Sequence, residues 1–132
     1  MARWLQYRHD DWTTGFQSRV LGSIEEGCGP LDAVFDTLSA WLADTDFRGC
    51  AFINTHAAYL GQTAAHRDII RTHKAELARF LTSLMPESGA ATGDALAILV
   101  DGAIVHAAIF NNTQPVHAAK QAAADLFPQE TL

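Results

Sequence analysis

Cysteine, proline and positive charge are all scarce in this chain of 132 residues. The two cysteines, Cys28 and Cys50, form no C-x-x-C pair and have no histidine at ligand spacing, so there is no zinc-knuckle pattern and a disulfide between them has no support from the sequence. They read as free thiols of a reducing compartment. Nine Lys and Arg stand against fifteen Asp and Glu, for a net charge of -6 and a pI near 5.3. That balance lacks the basic face of a nucleic-acid-binding module. No run approaches the roughly eighteen uninterrupted apolar residues of a membrane span. The start, Met1 to Arg8, lacks the apolar stretch of a signal peptide, so a cytoplasmic protein without a membrane partner is expected.

Catalytic signatures are missing as well. There is no G-x-S-x-G elbow and no Walker A loop, and Gly27-Cys28-Gly29 lacks the third glycine of a dinucleotide fingerprint. Asp44 and Asp46 sit in a break between helices and read as caps. The six histidines contain no i, i+4 pair and no H-E-x-x-H. His66 and His73 share a face but lie two turns apart, roughly 10 Å along the axis, too far to chelate one ion. No enzymatic activity, metal or cofactor is expected.

What is present is helical material. Hydrophobic residues make up 48% and charged residues 18%, a globular composition sized for one domain, residues 1–132. Steps of three and four residues recur almost throughout, and strand alternation does not. The pattern predicts an all-α fold of about six helices. The first, to about Glu26, carries Leu5, His9, Trp12, Phe16, Val20 and Ile24 on one side, with Gly15 and Gly22 weakening it or admitting a close neighbour. The second runs from Pro30 to about Ala43 on Leu31, Val34, Phe35, Leu38, Trp41 and Leu42. A short third helix is expected from Cys50 to Leu60, and a fourth from Ala64 to Met85, its stripe including Ile70, His73, Leu77 and Leu81. The charges around Arg67, Arg71 and Lys74 read as a solvated face. The fifth is expected from about Asp94 to Phe110 and the sixth from Pro115 to about Phe127, turned back by the polar run Asn111 to Gln114.

The fifth helix is apolar almost all round: Leu96, Leu99, Val100, Ala103, Ile104 and Ala107 cover one side, and Ile98, Gly102, Val105 and Ile109 another. A domain this small cannot bury both sides, so one is expected to meet a second copy. The alanine-rich sixth helix permits close approach, with Gly102 expected to allow a close crossing. The expected interface is a four-helix bundle between protomers, built from Ile98, Gly102, Val105, Ile109, Val116, Ala119 and Ala123.

Phe47-Arg48-Gly49-Cys50-Ala51-Phe52-Ile53-Asn54 resembles the f-R-G-C-x-F-x-N segment in the C-terminal domain of the tetracycline-repressor family. Pro30-Leu31 before it, His73-Lys74-Ala75-Glu76-Leu77 after it, and Leu99-Val100-Asp101-Gly102-Ala103-Ile104 are similar to family segments in the same order. The closing run Ala118 to Ala124 corresponds too, so the resemblance extends from about Phe16 to Phe127. It implies the ligand-binding and dimerisation domain of a transcriptional regulator, usually a repressor, that releases DNA when a small molecule binds. Such regulators contact operator DNA through an N-terminal helix-turn-helix domain, which these residues do not supply. The alternative is a stand-alone homodimeric helical protein that binds a small molecule or acts as a scaffold, without DNA.

A pocket for an organic effector needs apolar and aromatic walls with a few convergent polar groups. The expected liners are Trp12, Phe16, Phe52, Thr55, His56, Tyr59, His73 and Leu77, between the first, third and fourth helices. His73 interrupts an apolar stripe, where it serves either a ligand oxygen or a partner within the protein. Trp41 and Phe35 are expected only to pack. The effector should then be mostly apolar with one or two hydrogen-bonding groups.

Overall fold

The computed structural model describes residues 2–43 and 63–127. Among these residues it contains five α-helices and no strand: α1 (Ala2–Glu25), α2 (Pro30–Leu42), α3 (Ala64–Leu84), α4 (Ala90–Phe110) and α5 (Gln114–Leu126). The all-α fold expected from periodicity is what the chain adopts. The helix expected over Cys50 to Leu60 lies outside the described residues.

Local chemistry explains most of the ends. After α1, Gly27 takes φ 105°, a left-handed conformation favouring glycine, and the turn closes with Cys28 N–H donating to Ser23 O at 3.0 Å and Gly27 N–H to Ile24 O at 3.0 Å. This is a Schellman termination. Pro30 then opens α2, where its missing N–H costs nothing. A single 3-10 turn, Pro86–Ser88, follows α3, and Gly89 at φ 86° turns the chain into α4. At the far end of α4, Asn111 adopts φ 56° and the Asn112 carboxamide oxygen accepts from Gln114 N–H at 2.9 Å. These two residues reverse the chain into α5.

α4 begins at Ala90, four residues before the expected start, so that Gly93 lies inside the helix. A mid-helix glycine costs about 1 kcal/mol against alanine. Here the space explains it: a Cβ at Gly93 would run into Thr82 Oγ1 and stand 2.7 Å from the Ala78 carbonyl oxygen. Gly93 therefore lets α3 and α4 approach closely here, where a side chain would not fit. Gly15 does the same for α1, with a Cβ falling 3.2 Å from the Trp41 ring. Gly102, expected to permit a close crossing, has nothing within 4 Å.

The packing closes on itself. α1 contacts α2 and α3, α3 contacts α4, α4 contacts α5, α5 returns to α2, and α2 also reaches α4 across the bundle. Phe16, Val20, Phe35, Leu38, Leu81, Leu96, Val100 and Val116 fill the centre. Phe16 is fully buried, edge-on to Trp41 at 5.9 Å and to Phe80 at 6.1 Å between ring centroids.

Two sets of ion pairs tie the helices. Lys74 on α3 donates to Asp101 Oδ1 on α4 at 2.8 Å, both side chains about three-quarters covered. Lys74 thus does not belong to the solvated face expected of it, whereas Arg71 does, exposed beside Asp68. Lys120 on α5 reaches Asp32 and Asp36 on α2, each at 3.1 Å. Burial pulls its ammonium pKa down, but the bonds to Asp36 and Asp32 outweigh that and hold it above the ordinary 10.5.

Candidate functional site

Two sites were expected, and the described residues inform them unequally. For the effector pocket, Phe52, Thr55, His56 and Tyr59 lie outside the described residues. Trp12 falls on α1, with its side chain outside what is described. Phe16, His73 and Leu77 remain, and all three are buried.

Phe16 packs between two aromatic rings as part of the core, as Trp41 and Phe35 were expected to do. His73 is 3% exposed, follows Ile70 by one turn and precedes Leu77 by another, so its imidazole points into the bundle. It is not without a partner, and no buried side-chain nitrogen or oxygen among the described residues lacks one. An unmet hydrogen bond at His73 therefore gives no argument for a ligand. No group of three or more potential metal ligands occurs among the described residues.

The residues expected at an interface between copies fall mostly within the described helices. Ile98 is 72% exposed and Ile109 69% exposed, although both are large aliphatics in the middle and last turn of α4. Gly102 is exposed and Val105 half-buried between them. Their spacing of four, three and four residues keeps all four on one stripe, about 16 Å long. Phe110, 63% exposed, extends the apolar surface at the end of the helix.

On α5 the expectation needs correcting. Val116, Ala119 and Ala123 are buried in the chain's own core, because that face of α5 packs on α4 and α2. Only Ala119 also borders the outer surface. Pro115 and Ala118 take their place beside α4, where they wall a groove of about 540 Å³ with Ile98, Leu99, Gly102 and Phe110. His106, Asn112 and Gln114 are the groove's polar contributors among the described residues, and none of the described residues lining it carries a permanent charge. Pro115 and Ala118 were legible as small, apolar neighbours. The packed phase of α5 decided which of its faces stayed open.

Ala91–Phe110 is, by length and composition, long and apolar enough to cross a membrane, despite Asp94 and Asp101. Only 28% of that stretch is buried within the protomer. Its inner side nevertheless packs on α3 and α5, and Asp101 is held by Lys74.

Comparison with family models, curated proteins and solved structures found no match.

Proposed function

We propose that the chain is the effector-sensing and dimerisation domain of a transcriptional regulator of the tetracycline-repressor type, taking up a small, mostly apolar molecule. The order of the segments quoted above supports this reading. So does the meeting of two of them: Lys74 of His73–Leu77 pairs with Asp101 of Leu99–Ile104 at 2.8 Å.

The observation that carries the proposal is the uncovered apolar stripe of α4 beside α5. Large aliphatic side chains exposed along one helical stripe mark an interaction surface. A second copy suits it for two reasons. The chain carries a net charge of -6, yet the described residues that line the groove beside the stripe carry no permanent charge, and exposed Asp94 stands only at the stripe's far end, one turn before Ile98. A two-fold axis would also set the same apolar stripe on both sides, as self-complementary dimers require. Covering Ile98, Ile109 and Phe110 on both copies gains roughly 10 kcal/mol in gross. That is the order of the freedom lost on association.

Light scattering on the full chain at micromolar concentration tests the reading. The expected mass is twice the 14.3 kDa of one chain, falling to a single chain on Ile109→Glu with the helical circular dichroism intact. A monomeric unsubstituted protein would remove the central support. The effector half is tested by melting: a panel of small apolar molecules bearing one hydrogen-bonding group should contain members that raise the melting temperature. No response across a broad panel would leave the scaffold alternative standing.

A further inference from the structure

We propose that the groove between α4 and α5 is where the small molecule binds, and that the molecule is uncharged, with an apolar tail toward Ile98 and one hydrogen-bonding head toward the α4–α5 turn. The inference rests on the effector reading above and names its site and ligand class.

The groove has a volume of about 540 Å³, within the range of roughly 300–1,000 Å³ that small-molecule sites occupy. It follows α4 from Ile98 to Phe110, about 18 Å along the helix axis. Phe16, His73 and Leu77, the described residues expected to line an effector pocket, do not line it and are packed inside the bundle.

The two ends of the groove differ in chemistry. Ile98, Leu99, Gly102 and Ala103 form the α4 wall of the half distant from the turn and offer no hydrogen-bonding side chain. His106, Asn112 and Gln114 all belong to the half nearer the turn. Asn112 is committed to that turn: its carboxamide nitrogen donates to Phe110 O at 3.2 Å, and its oxygen accepts from Gln114 N–H at 2.9 Å. The exposed side chains of His106 and Gln114 make no hydrogen bond to a described residue. The Gln114 carboxamide supplies both donors and an acceptor, and the imidazole adds at least one donor. A hydroxyl, carbonyl or amide head is therefore met at the turn, while the tail covers Ile98 at the other end.

Charge selects against an ionic head. None of the described residues lining the groove carries a permanent charge. α4 and α5 carry Asp94, Asp101 and Asp125 against Lys120, and Lys120 is turned to Asp32 and Asp36 of α2. A carboxylate head meets no cation there. An ammonium head gains no carboxylate at the turn, because Asp101 pairs with Lys74 and Asp94 stands beyond the apolar end, one turn before Ile98. Covering an unpaired charge against apolar walls is unfavourable for either sign, so a neutral head loses least.

Fluorescence titration of the full chain with the neutral fluorophore N-phenyl-naphthylamine reads occupancy, with decanol, decanoate and decylammonium as competitors and circular dichroism to verify folding. The fluorophore should bind saturably. Decanol should displace it at about a tenth of the concentration that either charged head requires. Ala118→Phe fills the groove from an exposed position off the α4 stripe and should weaken the fluorophore about tenfold or more. Ala124→Phe, at an exposed position of α5 that does not line the groove, should leave it unchanged. A His106→Ala, Gln114→Ala double variant should weaken decanol about threefold to tenfold, the size of one hydrogen bond.

Binding untouched by Ala118→Phe, or by Ala118→Leu where the larger ring disturbs the fold, overturns the proposal and leaves the effector reading in place, since the molecule then sits elsewhere. Equal displacement by all three heads, or decanol unaffected by the double variant, overturns the ligand class. Binding seen only in the monomeric Ile109→Glu chain assigns the groove to the second copy and overturns the proposal. No saturable binding overturns it as well, and the effector reading falls with it only if the melting panel is also silent.

Discussion

α2 hides its large aliphatic side chains within the protomer, with Leu31, Val34, Leu38 and Leu42 all buried, whereas α4 buries Leu96 and Val100 but leaves Ile98 and Ile109 in the open. Both helices are rich in apolar residues. The difference is arrangement: α2 keeps its large apolar residues on one arc and places Asp32, Asp36 and the small Ala40 outside it, while α4 distributes large ones all round. One face satisfies a small bundle, and a second face has to be explained by something outside it.

The largest effect should come from breaking the covered side of α4. Gly93→Ala places a methyl against the Ala78 carbonyl, which as backbone cannot turn away as the Thr82 hydroxyl can. The helices must separate, and overpacking of this kind costs about 1–3 kcal/mol. Urea denaturation should show the loss as a lower midpoint. A Gly102→Ala control, which meets nothing within 4 Å, should leave the protomer fold unharmed.

A middling effect is expected at the ion pair that joins α3 to the same covered side. Asp101→Asn removes the partner of an ammonium about three-quarters covered and should cost about 1–2 kcal/mol, between the values typical of exposed and buried pairs. Recovery of most of that loss in a Lys74→Met, Asp101→Leu double variant would show that the stranded charge, rather than lost packing, was responsible.

The smallest effect belongs to α2. Lys120→Met gives up bonds to Asp32 and Asp36 that are mostly in solvent, for a loss below about 1 kcal/mol. Because the folded state raises the Lys120 pKa above 10.5, its contribution is fully present below that value and lost as the pH rises through the higher folded one. Stability of the unsubstituted chain and Lys120→Met should therefore converge in strong alkali.

Much of this was legible in the chain. Pro30 and Gly27 marked the α1–α2 turn, and the steps of three and four residues placed α2, α3 and α5 to within one or two residues. The two-sided apolar character of α4 also led to its exposed stripe. Three features were not legible. The start of α4 depends on Gly93 being tolerated against Thr82, a tertiary contact that outweighs local helix propensity. The role of Lys74 depends on an acid 27 residues away. Which face of α5 stays open is set by how α5 rotates onto α4 and α2, and that rotation buried Val116 and Ala123. On the pocket side, His73 was legible as a buried polar residue, but its partnering is a property of the packed bundle.

The claim that a second copy covers the α4 stripe is tested most directly by cysteine cross-linking. In a chain carrying Cys28→Ser and Cys50→Ser, single cysteines are placed in turn at Ile98, Gly102, Val105, Ile109 and, away from the stripe, at exposed Arg79 and Asp36. The account predicts oxidised dimers at low micromolar concentration from one or more stripe positions and none from Arg79 or Asp36. Equal cross-linking at all six positions, or none along the stripe, would contradict it.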